Sequence, residues 1–250
     1  MGLFDLFKGK PKGGGKDGEK KSSPAAKYAE AAGSKRAQAY DRQEALHELA
    51  KLKTGDAAEA LLRRFTFMVD PSITDQEEKQ LAFDGILAAG KDAIEPVRAF
   101  AAKAESLAWP MRILKELLSE EELVDELLVW LGRWDTEYAK FIDPKLQLLH
   151  ALEDYKASKI REAVTPFLQD VNEPARYHAV ATLLAQKEPE AVGPLLACLL
   201  DEESVRIRMK IADGLAQLGW EVPEDQREPV RKVLPYEFGI DGEGRVTKRG

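Results

Sequence analysis

The chain has 250 residues, with 44 acidic and 37 basic side chains and a net charge of −7. Its single cysteine excludes an internal disulfide, and no apolar run approaches the roughly 20 residues that a membrane-spanning helix needs. The first apolar residues are too few for a secretory signal, so we expect a cytoplasmic protein. The length is sufficient to bury a substantial core in one elongated domain or in two small ones.

The charge is unevenly distributed along the chain. Residues 1–36 hold nine basic and four acidic side chains, so this segment carries +5 and the remainder carries −12. Binding to nucleic acid requires clustered Lys and Arg to neutralise phosphates, and the acidic remainder lacks that excess. We therefore expect no nucleic-acid partner, and only the N-terminal segment is suited to contact an anionic surface.

Residues 1–36 are predicted to form a flexible basic head. Its first seven residues, MGLFDLF, contribute four apolar side chains: Leu3, Phe4, Leu6 and Phe7. Lysines follow at once, beginning with Lys8, Lys10 and Lys12. Residues 8–24 are rich in Lys, Gly and Ser, and this composition buries too little apolar surface to offset the entropy lost on folding. Residues 25–37 are rich in Ala and are expected to be partly helical.

Four roles are open for this head. Apolar side chains beside lysines supply both elements of a weak, reversible attachment to the inner membrane surface. The same segment is suited to dock on another protein or, through its tether, on the acidic part of its own chain. The fourth interpretation is an inert tail.

An all-α fold is predicted for residues 37–234, because apolar residues recur there three and four apart. The pattern divides into six pairs of helices. The first helices of the pairs are predicted at 42–52, 77–88, 110–118, 144–155, 174–185 and 204–218. The second helices are predicted at 56–68, 91–104, 120–133, 158–169, 189–200 and 225–234. A helix with one apolar stripe does not bury it alone, so we expect neighbouring helices to stack.

A short motif recurs in the second helices: Ala, a β-branched residue, any residue, Pro and an apolar residue. It begins at Ala93, Ala163 and Ala191, and the other second helices carry degenerate copies. Proline suits the first turn of a helix, where its missing N–H has no partner within the helix. The motif therefore predicts helix starts rather than breaks.

The repeat is clearest in residues 201–219, with the sequence DEESVRIRMKIADGLAQLG. Ser204 is placed to cap the start of its helix, and Gly219 to end it.

Residues 201–219 share a pattern with residues 170–184, DVNEPARYHAVATLL: an acidic loop precedes an Arg and then an apolar stripe. This pattern resembles the HEAT repeats, in the shorter bacterial form similar to the repeats of phycobilisome lyases. The resemblance implies an α-solenoid that acts as a scaffold or adaptor, and it transfers no catalytic residues.

Residues 235–250 form a C-terminal tail. Alternating side chains on both sides of the Gly-rich residues 241–244 indicate a β-hairpin that caps the open end of the last helix pair. A loose tail is the other interpretation.

No catalytic, cofactor-binding or metal-binding residues are predicted. The three histidines, His47, His150 and His178, lie in three different repeats, and none has a second His or a Cys at metal-ligand spacing. We expect each to be a helix-face or capping residue. Cys198 lies in an apolar run and is expected to be a buried structural thiol. Nothing in the sequence supplies a nucleophile with its base or a phosphate-binding loop.

The most acidic segment also carries tryptophans. Between residues 116 and 143 there are nine acidic and only two basic side chains. The tryptophans in or beside this segment are Trp109, Trp130 and Trp134. One interpretation is a solvated acidic face above core tryptophans. The other is a binding surface for a basic or helical partner, with tryptophans as anchors and acids such as Glu121 and Asp125 around them.

The favoured function is a non-enzymatic scaffold or adaptor that binds a protein partner through the solenoid surface, with the head as a tether. The alternatives are an enzyme on HEAT-like repeats, as in bilin lyases and alkylpurine DNA glycosylases, and a regulatory subunit of an enzyme. A glycosylase would need a basic groove, whereas the Trp-rich segment is the most acidic part of this chain.

Overall fold

The computed structural model describes residues 23–249 of the chain. These residues form thirteen α-helices and a two-stranded antiparallel sheet. The helices are α1 (Ala26–Ala32), α2 (Ala39–Leu52), α3 (Gly55–Leu62), α4 (Ser72–Ala88), α5 (Ile94–Ala101), α6 (Ala108–Leu117), α7 (Glu120–Leu131), α8 (Asp143–Ala151), α9 (Ser158–Val164), α10 (Glu173–Gln186), α11 (Val192–Asp201), α12 (Val205–Leu218) and α13 (Arg227–Val233). The strands are β1 (Phe238–Ile240) and β2 (Val246–Lys248). The predictions for Leu3 to Lys12 fall outside the described residues.

Helices α2 to α13 correspond one to one to the twelve predicted helices. The capping predictions for α12 are confirmed: the Ser204 side chain accepts a hydrogen bond from the N–H of Ile207, and Gly219 ends the helix with φ of 65°. The left-handed backbone explains why glycine stands there, since it carries no Cβ to oppose that conformation. Among residues 23–249, no helix is long and apolar enough to cross a lipid bilayer.

The proline motif marks a helix start in two of its three full copies. Pro96 and Pro194 are the third residues of α5 and α11. The prediction is wrong for the copy with Pro166, because α9 ends at Val164 and a 3-10 helix, Thr165–Gln169, follows it. Proline has no N–H to continue the α-helical hydrogen bonds, so at this position it accompanies a break.

The packed part of the chain begins before residue 37, earlier than predicted. Helix α1 lies against α2 and α3, and Ala25 and Ala32 are buried there. Small side chains let this short helix approach its neighbours closely, which compensates for its weak amphipathic pattern.

The helices pack in a regular order along the chain. Helix α2 contacts α4, and α4 contacts α6; in the second half, α8 contacts α10, and α10 contacts α12. The second helices form a parallel series of contacts: α3 with α5, α7 with α9, and α11 with α13. Leucine, isoleucine, valine and alanine side chains between these series form one continuous core.

Ion pairs connect neighbouring helix pairs. The partners lie 26 to 36 residues apart, close to the spacing of the sequence repeat. The nitrogen–oxygen distances are 2.7 Å for Arg42–Glu78, 2.7 Å for Arg98–Glu126, 2.5 Å for Arg161–Glu188 and 2.8 Å for Arg176–Glu202. In all of these pairs except Arg161–Glu188 the carboxylate is almost fully buried, so these three contacts belong to the packing between helix pairs rather than to the solvated surface.

Helix α4 packs tightly against α2 and α3 at Gly85. A Cβ at this position would lie 2.8 Å from the Cβ of Ala50 and 2.8 Å from a methyl carbon of Leu61. No side chain fits there without displacing the neighbouring helices, so glycine sets the distance between these two helix pairs.

The predicted C-terminal hairpin is confirmed. Strands β1 and β2 pair in register, with Phe238 opposite Lys248 and Ile240 opposite Val246. The hairpin lies against α12 and α13 and buries Phe238 and Val246 almost completely. It therefore covers the end of the last helix pair.

Candidate functional site

Trp109 lies at the start of α6, where it is partly buried among other aromatic side chains. Its indole ring stacks on Phe65 with 4.5 Å between the ring centroids, and the ring of Phe83 is 6.0 Å away. The guanidinium of Arg112 lies 4.9 Å from the Trp109 ring centroid. This packing fixes the orientation of the indole before any ligand binds.

One face of Trp109 borders a cleft of about 620 Å³, called here the first cleft. Three aromatic rings and a proline form much of its lining: Phe65, Phe100, Trp109 and Pro110. Its polar lining comes from Glu59, Thr66, Lys103, Glu105 and Ser106. The combination of apolar walls and a few polar groups is typical of a ligand or peptide site.

A second cleft, of about 340 Å³, lies beside the first. Its larger apolar lining residues are Leu107, Trp130, Trp134, Phe141 and Pro144. Residues 103–105 line both clefts and so form the wall between them. The structure thus places Trp109 at the first cleft and Trp130 and Trp134 at the second.

Trp130 and Trp134 do not share a helix, and α7 ends two residues before the predicted end at residue 133. Helix α7 ends at Leu131, and Trp134 lies in the connection to α8. Trp130 is 2% exposed, and its indole N–H has no hydrogen-bond partner among the described residues. It is a core residue with one side at the second cleft, whereas Trp134 is partly exposed.

Hydrogen bonds from α8 hold both sides of the second cleft. The Lys145 ammonium donates to the carbonyl of Asp135 over 3.1 Å and so anchors the connection that carries Trp134 and Phe141. On the opposite side, the N–H of Leu107 donates to the Gln147 side chain over 2.6 Å. The cleft is therefore built on a fixed support rather than on a free loop.

Glu121 and Asp125 lie elsewhere. Both are exposed on α7, and neither lines either cleft. At 3.6 residues per turn, they point about 140° to 180° away from Trp130 around the helix. Asp125 instead accepts a hydrogen bond from Lys159 over 2.6 Å. The predicted ring of acids around the tryptophans is thus replaced by two separate surfaces.

Two of the three histidines come together in the structure, although no metal-ligand spacing in the sequence indicated it. His150 on α8 and His178 on α10 both direct Nδ1 at Oε1 of Glu153, at 3.2 Å and 3.1 Å. Their ring centroids are 5.3 Å apart, while His47 is exposed on α2. His150 and His178 are 28 residues apart, which is one repeat, so repeat spacing was the signal that would have placed them together.

Electrostatics at Glu153 favour its charged form. Burial would raise the pKa of this carboxyl, but the hydrogen bonds with His178 and His150 outweigh burial and lower it. A carboxylate between two imidazoles is therefore the state that the surroundings stabilise.

Cys198 is a structural thiol, as predicted. It is 8% exposed, and its Sγ lies 3.7 Å from the carbonyl oxygen of Leu168. Burial raises the pKa of the thiol to about 11, which keeps it protonated and unreactive near neutral pH.

In comparisons with known proteins, no protein-family model and no curated protein matches the chain.

Proposed function

We propose that the protein is a non-enzymatic adaptor, a HEAT-like α-solenoid that binds an apolar segment of a protein partner in its two adjoining clefts. Support for the solenoid comes from the order of helix contacts, in which corresponding helices of successive pairs pack together. Ion pairs such as Arg98–Glu126 and Arg176–Glu202 join residues that lie about one repeat apart in the sequence. A stack of similar units would form such a contact between one unit and the next.

The observation that carries the proposal is the pairing of two aromatic clefts across the wall of residues 103–105. Buried aromatic anchors dominate the binding energy of most protein interfaces, and tryptophan is the most enriched of them. Three of the four tryptophans of the chain border these clefts. This concentration favours recognition of side chains over a purely structural role.

The shape of the site indicates the kind of partner. Two depressions on either side of one wall fit a peptide that inserts two apolar or aromatic side chains, one in each cleft. Lys103, Glu105 and Ser106 are exposed along the wall and are available to the polar backbone of such a segment. The acids on α7, including Glu121, would additionally attract a partner with basic flanks, by an effect that salt weakens.

The test is capture of partners on the immobilised full-length chain, compared with two surface variants. Phe141 is 69% exposed and lines the second cleft, so Phe141→Asp should leave the fold intact and abolish binding. Tyr40 is 75% exposed on α2 and lines neither cleft, so Tyr40→Asp is the matched control. A version without residues 1–22 separates binding by the head from binding by the clefts.

A partner retained by the wild type and Tyr40→Asp but lost by Phe141→Asp supports the proposal. Its affinity is then measured by tryptophan fluorescence in a Trp220→Phe background, in which Trp109, Trp130 and Trp134 are the fluorophores left. Equal retention by all three proteins, or no change in fluorescence on saturation, would place the interaction on another surface.

A further inference from the structure

We propose that His150, Glu153 and His178 form a binding site for a divalent transition-metal ion of the zinc class. The three side chains each offer one ligand atom, and these atoms all lie within 4.8 Å of one another. The residues come from three elements: α8, the 3-10 helix Leu152–Asp154 that follows it, and α10. This assignment is independent of the adaptor function and of the clefts.

The spacing of the donor atoms suits a tetrahedral ion. Bonds of roughly 2.0 to 2.2 Å to zinc place neighbouring ligand atoms roughly 3.3 to 3.6 Å apart in a tetrahedral site. The distances from Glu153 Oε1 to Nδ1 of His150 and of His178 are 3.2 Å and 3.1 Å. The widest separation among the three ligand atoms is at most 4.8 Å, so a small contraction brings all three to one ion.

The donor types select the class of ion. Two imidazole nitrogens and a carboxylate oxygen suit zinc, cobalt, nickel and copper, whereas magnesium and calcium require oxygen ligands almost throughout. Three protein ligands leave the fourth position of a tetrahedral ion to water or to a group from a bound molecule.

One face of α10 holds His178 in position. The Thr182 hydroxyl, one turn further along, is 2.8 Å from the Leu149 carbonyl, next to His150. After another turn, the Gln186 side chain donates to the Tyr155 carbonyl over 3.0 Å and accepts from the N–H of Ala157 over 3.2 Å. These bonds fix α10 against residues 149–157, so the ligands are preorganised across the two helices.

The competing interpretation is a hydrogen-bonded brace in which the two imidazoles hold Glu153 and no ion binds. His150 is 70% exposed at its side chain, so an ion can approach from solvent. A brace predicts loss of stability when a histidine is removed but no specific uptake of metal. Metal binding by the full chain separates the two.

The experiment titrates the chelator-treated full-length protein with Zn²⁺ by calorimetry and with Co²⁺ by visible absorption. We expect one saturable site and, with Co²⁺, the intense d–d bands of a tetrahedral complex. His150→Gln and His178→Gln should each weaken binding at least tenfold, and Glu153→Gln should do the same. His47→Gln is the control, because it removes the one histidine outside the cluster.

Thermal melts without metal show whether each variant folds. Saturable binding that His150→Gln abolishes and His47→Gln leaves intact establishes the site. Absence of saturable binding, or binding that persists in the folded double variant His150→Gln/His178→Gln, overturns it.

Discussion

The ammonium of Lys145 lies 2.6 Å from Oδ2 of Asp170, and both side chains are fully buried. The pair has a matched counterpart in Lys159 and Asp125, which are also 2.6 Å apart but are 38% and 60% exposed. The two ion pairs share their chemistry and distance but differ in burial and in their other hydrogen bonds, since Lys145 also donates to the Asp135 carbonyl and Asp170 accepts from the N–H of Asn172.

Lys145→Met should destabilise the protein by about 3 to 5 kcal/mol, because it leaves the Asp170 carboxylate buried without its partner. Lys159→Met should cost less than about 1 kcal/mol, since water solvates Asp125. Urea denaturation followed by circular dichroism measures both free energies of unfolding. Equal losses in the two variants would contradict this account.

Asp75 should make stability depend on acidic pH. Burial alone would raise its pKa, but hydrogen bonds from Lys79, Arg64 and the N–H of Val69 lower the pKa to about 2, from an ordinary value of 3.8. A lowered pKa in the folded state stabilises the protein above the unfolded pKa. Roughly 2 kcal/mol of that stabilisation is therefore lost as the pH falls from about 4 to below 2.

The measurement for Asp75 is the free energy of unfolding of the wild type and Asp75→Asn between pH 7 and pH 2. The variant should be less stable at pH 7, and the difference should shrink as the wild-type carboxylate becomes protonated. A difference that stays constant across this range would show that the carboxylate charge contributes nothing.

Two glycine-to-alanine substitutions should change the stability of the protein in opposite directions. In Gly85→Ala the new methyl group meets Ala50 and Leu61 at 2.8 Å, and this overpacking, about 1 to 3 kcal/mol, outweighs the helix propensity gained. Gly193 in α11 has no atom within 4 Å of an added Cβ, so Gly193→Ala should stabilise by up to about 1 kcal/mol. Thermal melting of both variants checks the signs, and stabilisation by Gly85→Ala would contradict the close helix contact.

Cys198 should react slowly with thiol reagents in the folded protein. With its pKa raised to about 11, the thiolate fraction at pH 8 is about a hundredfold below that of an unperturbed cysteine. Labelling kinetics in buffer and in denaturant measure the protection. Equal rates in the two conditions would show that the side chain is accessible in the native state.

Local signals predicted much of the fold. Ser204 and Gly219 define the ends of α12 through contacts within a few residues, and the turn at 241–244 specifies the hairpin in the same way. Pro166 was misread because the same residue type accompanies a helix start or a break, and packing decides between them.

The candidate sites depend on contacts between distant residues, so the sequence predicted them only in part. Trp109, Trp130 and Trp134 were identified by type, but the clefts are separate from Glu121 and Asp125 because these two acids lie on the side of α7 away from Trp130. His150 and His178 meet only because α8 packs on α10. The two histidines are 28 residues apart, which is about one repeat, and this spacing would have indicated the contact.

The C-terminal hairpin has a consequence for assembly of the protein with itself. In the proposed stack each helix pair offers an apolar face to the next, and the last face would accept another copy of the chain. Phe238 and Val246 cover the end formed by α12 and α13, and Lys248 fixes β2 by an ion pair with Asp213 of α12 at 2.7 Å. In the proposed stack, the hairpin would therefore end the series of repeats and cover the apolar face on which another copy could pack.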